Sequence, residues 1–299
     1  MVRRLLLAAF VSGLAGLAAF WFVTRPAVLD ESAIAGLTGD PVRGEYVFRA
    51  AGCASCHSAE GASGAEMLKL GGGRAFPSDF GTFHAPNISP DPVHGIGGWS
   101  RIELVNALLN GVGPDGAHLY PALPYGAYAR MTPEDAVSLA SYLATLPEVA
   151  TPSRPHEVGF PFSIRRLLGG WKFLYLDRDW VVDPVPEAAL TGRYIAEALA
   201  HCGECHTPRT ALGGLKTGEW LWGAPAPAGK GTVPDITPGG LDWPEADLVT
   251  FFQSGLKPDF DTAGGAMVDV IANLATLPEA DLLSLAAYLK AVPASQKGN

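Results

Sequence analysis

The chain opens with a long apolar stretch. Arg3-Arg4 precede an uncharged run over residues 5–23, which is about the length needed to cross a bilayer. Because positive charge is retained on the cytoplasmic side, this order places the remainder of the chain outside the cytoplasm. The run ends in Phe20-Trp21-Phe22-Val23 rather than in small residues. We therefore expect residues 1–28 to form a retained anchor, with a cleaved signal peptide as the alternative.

Further along, apolar positions recur with helical spacing, and the pattern occurs twice. Leu139 and Leu143 lie four residues apart behind Thr132-Pro133, a typical N-cap followed by a first-turn proline. A similar segment runs from Leu277-Pro278 to Leu289. Strand signals are weak throughout, so the pattern predicts a mainly α-helical protein.

The two copies keep a nearly constant offset. Trp99 and Trp243 are 144 residues apart, and so are Gly111 and Gly255, which we expect to end the helices in which the tryptophans lie. Pro114 and Asp115 recur as Pro258 and Asp259, again 144 residues later. The segment 86–90 recurs in similar form as residues 234–238. The repeat predicts two domains, residues 38–150 and 186–295.

Between the repeats, residues 151–185 are rich in proline and aromatic side chains, including Phe160-Pro161-Phe162 and Trp171-Lys172-Phe173-Leu174-Tyr175. The segment is too apolar for a solvated tether. We expect it to pack between the domains and fix their distance, with a membrane-touching or partner-binding surface as the alternative.

Each repeat contains one Cys-x-x-Cys-His motif, and the two motifs use all four cysteines. This motif is the attachment signature of c-type haem, in which the thiols form thioethers and the histidine ligates the iron. The predicted attachment residues are Cys53, Cys56, Cys202 and Cys205, and the predicted proximal ligands are His57 and His206. The fold expected is two class I cytochrome c domains in tandem behind an N-terminal transmembrane helix, with two covalently bound haem c groups.

Other uses of paired cysteines fit less well. Two disulfides would leave the histidine after each pair unexplained. A zinc site usually separates its cysteine pairs by about 15–20 residues, whereas Cys53 and Cys202 are 149 apart. A thioredoxin-like redox pair requires a βαβ context that the sequence does not show.

A methionine opposite the histidine would complete a low-spin iron suited to electron transfer. Met267 follows Gly264-Gly265 and lies 61 residues after His206, so it is the predicted distal ligand of the second haem.

The distal ligand of the first haem is less clearly indicated. The position 144 residues before Met267 is Leu123, which cannot ligate iron. Met131, eight residues further on, is the favoured ligand. Met67, His118 and an open sixth site remain alternatives.

The formal net charge of −9 argues against a nucleic-acid partner. The 36 glycines and 25 prolines suit a fold in which loops wrap a cofactor. Arg74 and Arg209 are candidate partners for haem propionates, with ordinary surface arginines as the alternative.

Several segments resemble the membrane-anchored dihaem cytochromes c related to the cytochrome subunits of bacterial gluconate, alcohol and other periplasmic dehydrogenases. The resemblance runs from about residue 44 to residue 289 and is carried by residues 81–91, 95–100, 118–125, 160–166 and 201–209. The better-known subunits carry three haems and often methionine at the place of Leu123, whereas this chain has two motifs and leucine. Relatives with an apolar residue there tend to have methionine eight positions later, which favours Met131.

The resemblance implies an electron carrier in the bacterial inner membrane, with a single span and its haem domains in the periplasm. It would accept electrons from a periplasmic dehydrogenase and pass them to a quinone pool, a terminal oxidase or another cytochrome, without catalytic residues of its own. The alternative is a haem enzyme, peroxidase-like or sulfur-oxidising, that uses an open sixth site on the first haem. Leu123 keeps this alternative open, although no cysteine remains free to act as a ligand.

Overall fold

The computed structural model describes residues 1–226 and 231–296, and this part of the chain is mainly helical, as predicted. The helices are α1 (Val2–Val23), α2 (Pro41–Ala50), α3 (Cys53–His57), α4 (Arg101–Asn110), α5 (Tyr125–Tyr128), α6 (Pro133–Leu143), α7 (Leu167–Tyr175), α8 (Leu190–Tyr194), α9 (Gly203–His206), α10 (Glu245–Ser254), α11 (Met267–Leu274) and α12 (Glu279–Ala291). A π-helical turn, Ile195–Leu199, continues α8. Short 3-10 turns are formed by Glu31–Ile34, Gly64–Leu68, Glu187–Ala189 and Thr217–Glu219.

Two short pairs of antiparallel strands were not expected from the sequence. They pair β1 (Ala75–Ser78) with β2 (Gly81–His84) and β3 (Ala224–Pro225) with β4 (Thr232–Val233). Pro77 and Pro225 lie within these strands and break the alternation by which a strand is usually recognised.

Most of helix α1 extends away from the body, and its last turn meets α7. None of its 22 residues is buried against the described chain, and the mean hydropathy of its most apolar window is 2.1. At 1.5 Å per residue it is about 33 Å long, which matches a hydrocarbon core of about 30 Å. Its length and composition suit a membrane span, and a signal sequence would meet the same criteria.

The helix boundaries follow from local chemistry. Thr132 caps α6 by accepting a hydrogen bond from the Asp135 amide, and Pro133 occupies the first turn, as predicted. Gly111 ends α4 with φ of +59° and Gly255 ends α10 with φ of +74°. Both angles lie in the left-handed region that glycine adopts without steric cost, so the predicted helix ends are confirmed. The tryptophans themselves do not lie in these helices, since Trp99 and Trp243 precede the N-caps Ser100 and Pro244.

Each half is built on the same pair of crossed helices. Helix α2 packs across α6 in the first half, and α8 packs across α12 in the second. A Cβ on Gly44 would lie 2.0 Å from the Ser138 carbonyl oxygen, and one on Gly192 would lie 1.9 Å from that of Ser284. Glycine is therefore required at both crossings, because any side chain would collide with the facing backbone.

The two halves exchange equivalent hydrogen bonds across their interface. Tyr46 of α2 donates to Asp281 of α12 at 2.8 Å, and Tyr194 of α8 donates to Asp135 of α6 at 2.6 Å. Burial, followed by the hydrogen bond to the carboxylate, raises the pKa of both tyrosines, so each stays a protonated donor. The two bonds are reciprocal, because in each a tyrosine of one half donates to an aspartate on the closing helix of the other half.

These two bonds are expected to couple the stability of the halves. Tyr46→Phe and Tyr194→Phe should each lower the free energy of unfolding by about 1.5–3 kcal/mol, since each removes a hydrogen bond to a charged group. Urea unfolding of the purified holoprotein measures the change. Tyr142→Phe is the matched control, because Tyr142 packs on Phe48 within one half at a centroid distance of 5.2 Å. Equal stabilities for the Tyr46 and Tyr142 variants would contradict the coupling.

The connector, residues 151–185, contacts both halves and the end of α1. Lys172 of α7 donates to the carbonyl oxygens of Asn110 at 2.6 Å and Gly111 at 2.7 Å in the first half. Trp171 donates its indole N–H to the Leu212 carbonyl oxygen at 3.0 Å in the second half. Helix α7 also packs against α1. The connector thus ties three parts of the molecule together.

Candidate haem sites

Each Cys-x-x-Cys-His motif forms a short helix that follows a sharp left-handed turn. Gly52 precedes α3 with φ of +62°, and His201 precedes α9 with φ of +44°. Such a turn lets the short helix leave the preceding helix abruptly, so that the cysteines and the histidine project from one turn of backbone. Histidine is among the non-glycine residues that tolerate this region.

The two motif histidines have equivalent hydrogen-bond partners, each the carbonyl oxygen of a proline. Nδ1 of His57 lies 2.8 Å from the Pro86 carbonyl oxygen, and Nδ1 of His206 lies 2.8 Å from that of Pro234. A carbonyl only accepts, so Nδ1 carries the proton and Nε2 keeps its lone pair. Burial lowers the pKa of both histidines, which favours the neutral ring. This tautomer is the form in which imidazole binds a metal through Nε2.

A second pair of bonds fixes the backbone of each histidine. The Gly72 amide donates to the His57 carbonyl oxygen at 2.8 Å, and the Gly223 amide donates to that of His206 at 2.7 Å. Both glycines have positive φ, and a Cβ on Gly72 would lie 2.4 Å from the Ala85 carbonyl oxygen. The loop that supplies the proline carbonyl is thereby held against the motif in both halves.

The four cysteine side chains are not joined to one another in disulfides. Burial raises the pKa of the Cys53 and Cys202 thiols to about 12. Among the residues that the structure describes, no group of three or more His, Cys, Asp or Glu side chains could hold a metal ion. This arrangement supports neither a disulfide pair nor a zinc site.

Each motif lies at the interface between the halves and contacts the opposite half. The Asn273 side-chain amide donates to the Ser55 hydroxyl at 2.8 Å, which links the first motif to α11 of the second half. The Tyr128 ring lies 6.0 Å from the His201 ring, edge to face, which links the second motif to the first half.

The predicted distal residues occupy related loops. The Gly111 carbonyl oxygen accepts a hydrogen bond from the Leu119 amide, and the Gly255 carbonyl oxygen accepts one from the Ala263 amide. Donors and acceptors are each offset by 144 residues between the halves. The loops that lead to Leu123 and Met267 are therefore folded alike. Met267 begins α11 and is half-buried.

In the first half, Leu123 is half-buried, whereas Met131 is only 3 % exposed, between α5 and α6. Met131 and Met267 as iron ligands stay predictions.

His118 is engaged elsewhere. Its Nε2 donates to the Thr24 carbonyl oxygen at 2.9 Å, at the end of α1, and its Nδ1 lies 3.0 Å from the Lys172 ammonium. Because both ring nitrogens have protein partners, the geometry favours a structural role for His118 over the bis-histidine alternative.

The candidate propionate partners also have other contacts. Arg74 donates to the Ser55 carbonyl oxygen and lies 3.2 Å from Asp269. Arg209 pairs with Glu204 at 2.5 Å.

These residues fit a covalently attached haem in each half. Two free thiols and an imidazole with a fixed Nδ1 proton project from one helical turn in both motifs. Pro86 and Pro234 complete each site, and sequence reasoning missed their role. The signal was present, since the two prolines begin the repeated segments 86–90 and 234–238.

Comparison with known proteins agrees with this geometry. Residues 41–147 match the Cytochrome c family. The chain is 50 % identical over 283 residues to a diheme cytochrome c-type protein of Cereibacter sphaeroides. The alignment covers 94 % of this chain and 95 % of that protein. This chain belongs to the dihaem c-type cytochromes. It therefore carries two covalently bound haem c groups and belongs to an electron-transfer family.

Larger relatives include subunits of dehydrogenases. The dihaem cytochrome is 39 % identical to the fructose dehydrogenase cytochrome subunit of Gluconobacter japonicus and 33 % identical to the gluconate 2-dehydrogenase cytochrome c subunit of Pantoea cypripedii. Both alignments cover 84 % of this chain, but only 52 % and 59 % of those subunits. The chain thus spans about half the length of these relatives.

Proposed function

We propose that each half of the chain is one class I cytochrome c domain that holds one haem. Cys53 and Cys56 would attach the first group, and Cys202 and Cys205 the second. The observation that carries this assignment is the identical Nδ1-to-proline hydrogen bond of 2.8 Å at His57 and at His206. When bound, haem iron supplies a one-electron redox couple whose potential is set by its axial ligands.

At each site the protein would bind the haem and orient the histidine that ligates its iron. The proline carbonyls accept a hydrogen bond from Nδ1 of His57 and of His206, which fixes the orientation of each ring and leaves Nε2 free to ligate iron. The thiols of each motif would attach the porphyrin through thioether bonds. Met267 would act as the distal ligand in the second domain and Met131 in the first.

The position of both motifs at the interface between the halves suits transfer of single electrons between the domains. Ser55 and Asn273 join the first motif to the second domain at 2.8 Å, and Tyr128 packs on His201 beside the second motif. The reciprocal Tyr46–Asp281 and Tyr194–Asp135 bonds would keep this separation constant.

We propose that the electrons come from a periplasmic dehydrogenase and leave to a terminal oxidase, a quinone pool or another cytochrome. The names of the dehydrogenase-subunit relatives support this role. A tagged chain purified from host membranes in mild detergent should bring down a dehydrogenase, and that enzyme's substrate should reduce the haem. Steady peroxide turnover by the purified chain, with no dehydrogenase attached, would overturn the role.

The number of methionine-ligated haems is directly measurable. If Met131 and Met267 both ligate, the oxidised absorption spectrum should show the methionine–iron charge-transfer band at twice the intensity of a one-haem cytochrome c, per chain. Half of that intensity would mean that only one site is His/Met, and small-ligand binding to the first haem would then test the enzyme alternative.

We propose that α1 is a retained single span that places both domains on the periplasmic side of the bacterial inner membrane. Deleting residues 3–23 behind a cleavable signal peptide should yield soluble holoprotein with two haems per chain. The measurement is the distribution of haem between the membrane pellet and the supernatant. Cleavage of the intact chain after α1, detected by mass spectrometry, would contradict a retained span.

A further inference from the structure

The connector exposes large apolar side chains around α7. Phe160 is 84 % exposed, Phe173 is 72 % exposed and Leu174 is 61 % exposed. Phe162, Ile164 and Leu167 are also more than a third exposed. Side chains of this size are rarely left exposed together in a water-soluble domain, so this surface, residues 160–174, requires a partner.

This surface is attached to the end of α1. Arg166 donates to the Thr24 hydroxyl at 2.8 Å and to the Trp21 carbonyl oxygen, and its guanidinium lies 4.1 Å from the centroid of the Trp21 ring. A Cβ on Gly169 would lie 2.4 Å from the Thr24 carbonyl oxygen, so α7 touches the anchor's last turn directly. Tryptophan and arginine at the end of a span lie at the level of the lipid headgroups.

The charge of the surface points to the same partner. Residues 160–175 contain no acidic side chain and three basic ones, Arg165, Arg166 and Lys172. Lys172 points into the first half and burial lowers its pKa to about 7, so Arg165 and Arg166 supply the positive charge of the surface. The chain as a whole carries a net charge of −9. A local excess of positive charge beside exposed phenylalanine and leucine matches the anionic headgroups and acyl chains of a membrane surface.

We propose that residues 160–174 form a second membrane contact, which lies in the headgroup layer beside the exit of α1. The inference rests on the proposed span, since the level of α7 is set by its contacts with Trp21 and Thr24. A single span leaves the body free to rotate and tilt about its exit point. A second contact, joined to the first domain through Lys172 and the carbonyls of Asn110 and Gly111, would hold the domains in one orientation to the membrane.

Photo-crosslinking in the full-length holoprotein tests this contact. The photoreactive amino acid p-benzoyl-phenylalanine is incorporated at one position at a time, and the protein is reconstituted in vesicles of phosphatidylcholine and phosphatidylglycerol. The positions are those of Phe173 on the surface, Phe10 in α1 and Phe260 in the second domain. Phe260 is the matched control, because it is 85 % exposed and lies far along the chain from the connector. Lipid adducts are counted by mass spectrometry.

Phe173 should give at least about tenfold more lipid adduct than Phe260, because a residue in the headgroup layer is surrounded by lipid whereas a solvated one meets it only by collision. Equal yields at the two positions would overturn the membrane contact, and adducts at Phe10 in the same experiment would show that the span itself stands. Absence of adducts at Phe10 would overturn the span separately. In native membranes, a protein adduct at Phe173 in place of lipid would overturn the inference in favour of a partner subunit.

Discussion

Replacing Cys202 and Cys205 by serine should leave one haem per chain. Serine cannot form a thioether, and without covalent attachment the second porphyrin is held only by the iron ligands and by apolar contacts. The pyridine haemochrome absorbance per chain should fall to half, and intact-mass spectra should show chains with a single added haem. The expected change is large because a whole haem group is lost, and the two remaining cysteines, Cys53 and Cys56, belong to the first motif.

The paired control is the same change in the first motif, Cys53→Ser with Cys56→Ser. It should also leave one haem, and the two variants should differ in the spectrum and potential of the haem that remains. Two haems per chain in either variant would show that the motif is not the attachment site. A chain without any haem would show instead that folding of one domain depends on the other, which the reciprocal Tyr46 and Tyr194 bonds would explain.

The haem motifs and the helix boundaries were predictable because their chemistry is local. Cysteines and histidine in one helical turn specify attachment by spacing alone. Thr132 caps its helix through an amide three residues away, and Gly111 adopts a backbone angle that other residues disfavour. Such features depend on neighbours in sequence, and they do not require knowledge of the fold.

The features that the sequence did not reveal depend on contacts between distant residues. The Pro86 carbonyl that orients His57 is a backbone group of a loop 29 residues away, and any residue type could supply it. Tyr46 and Asp281 are 235 residues apart, so their pairing appears only once the two halves are docked. His118 was a candidate ligand by its place in a loop, but the packing of α1 and α7 gives both of its nitrogens other partners.

Replacing Met267 by alanine should convert the second haem from low spin to high spin and lower its potential by about 0.1 V or more. Axial ligands tune haem potentials over a range of about 0.8 V, and thioether ligation favours the reduced state, so its loss should move the potential downward. Met267 lies at the first turn of α11, after the loop that matches the Leu123 loop of the first domain.

Spectroelectrochemical titration of the purified holoprotein measures both effects, since the two haems titrate as separate components. Met67→Ala is the comparison variant, because Met67 packs against the core from the 3-10 turn Gly64–Leu68. Two low-spin haems in this variant would exclude Met67 as the distal ligand of the first haem. Met131→Ala should act on the first haem alone. An unchanged spectrum and potential in the Met267 variant would remove this residue from the coordination sphere, and the second domain would then need a different distal ligand.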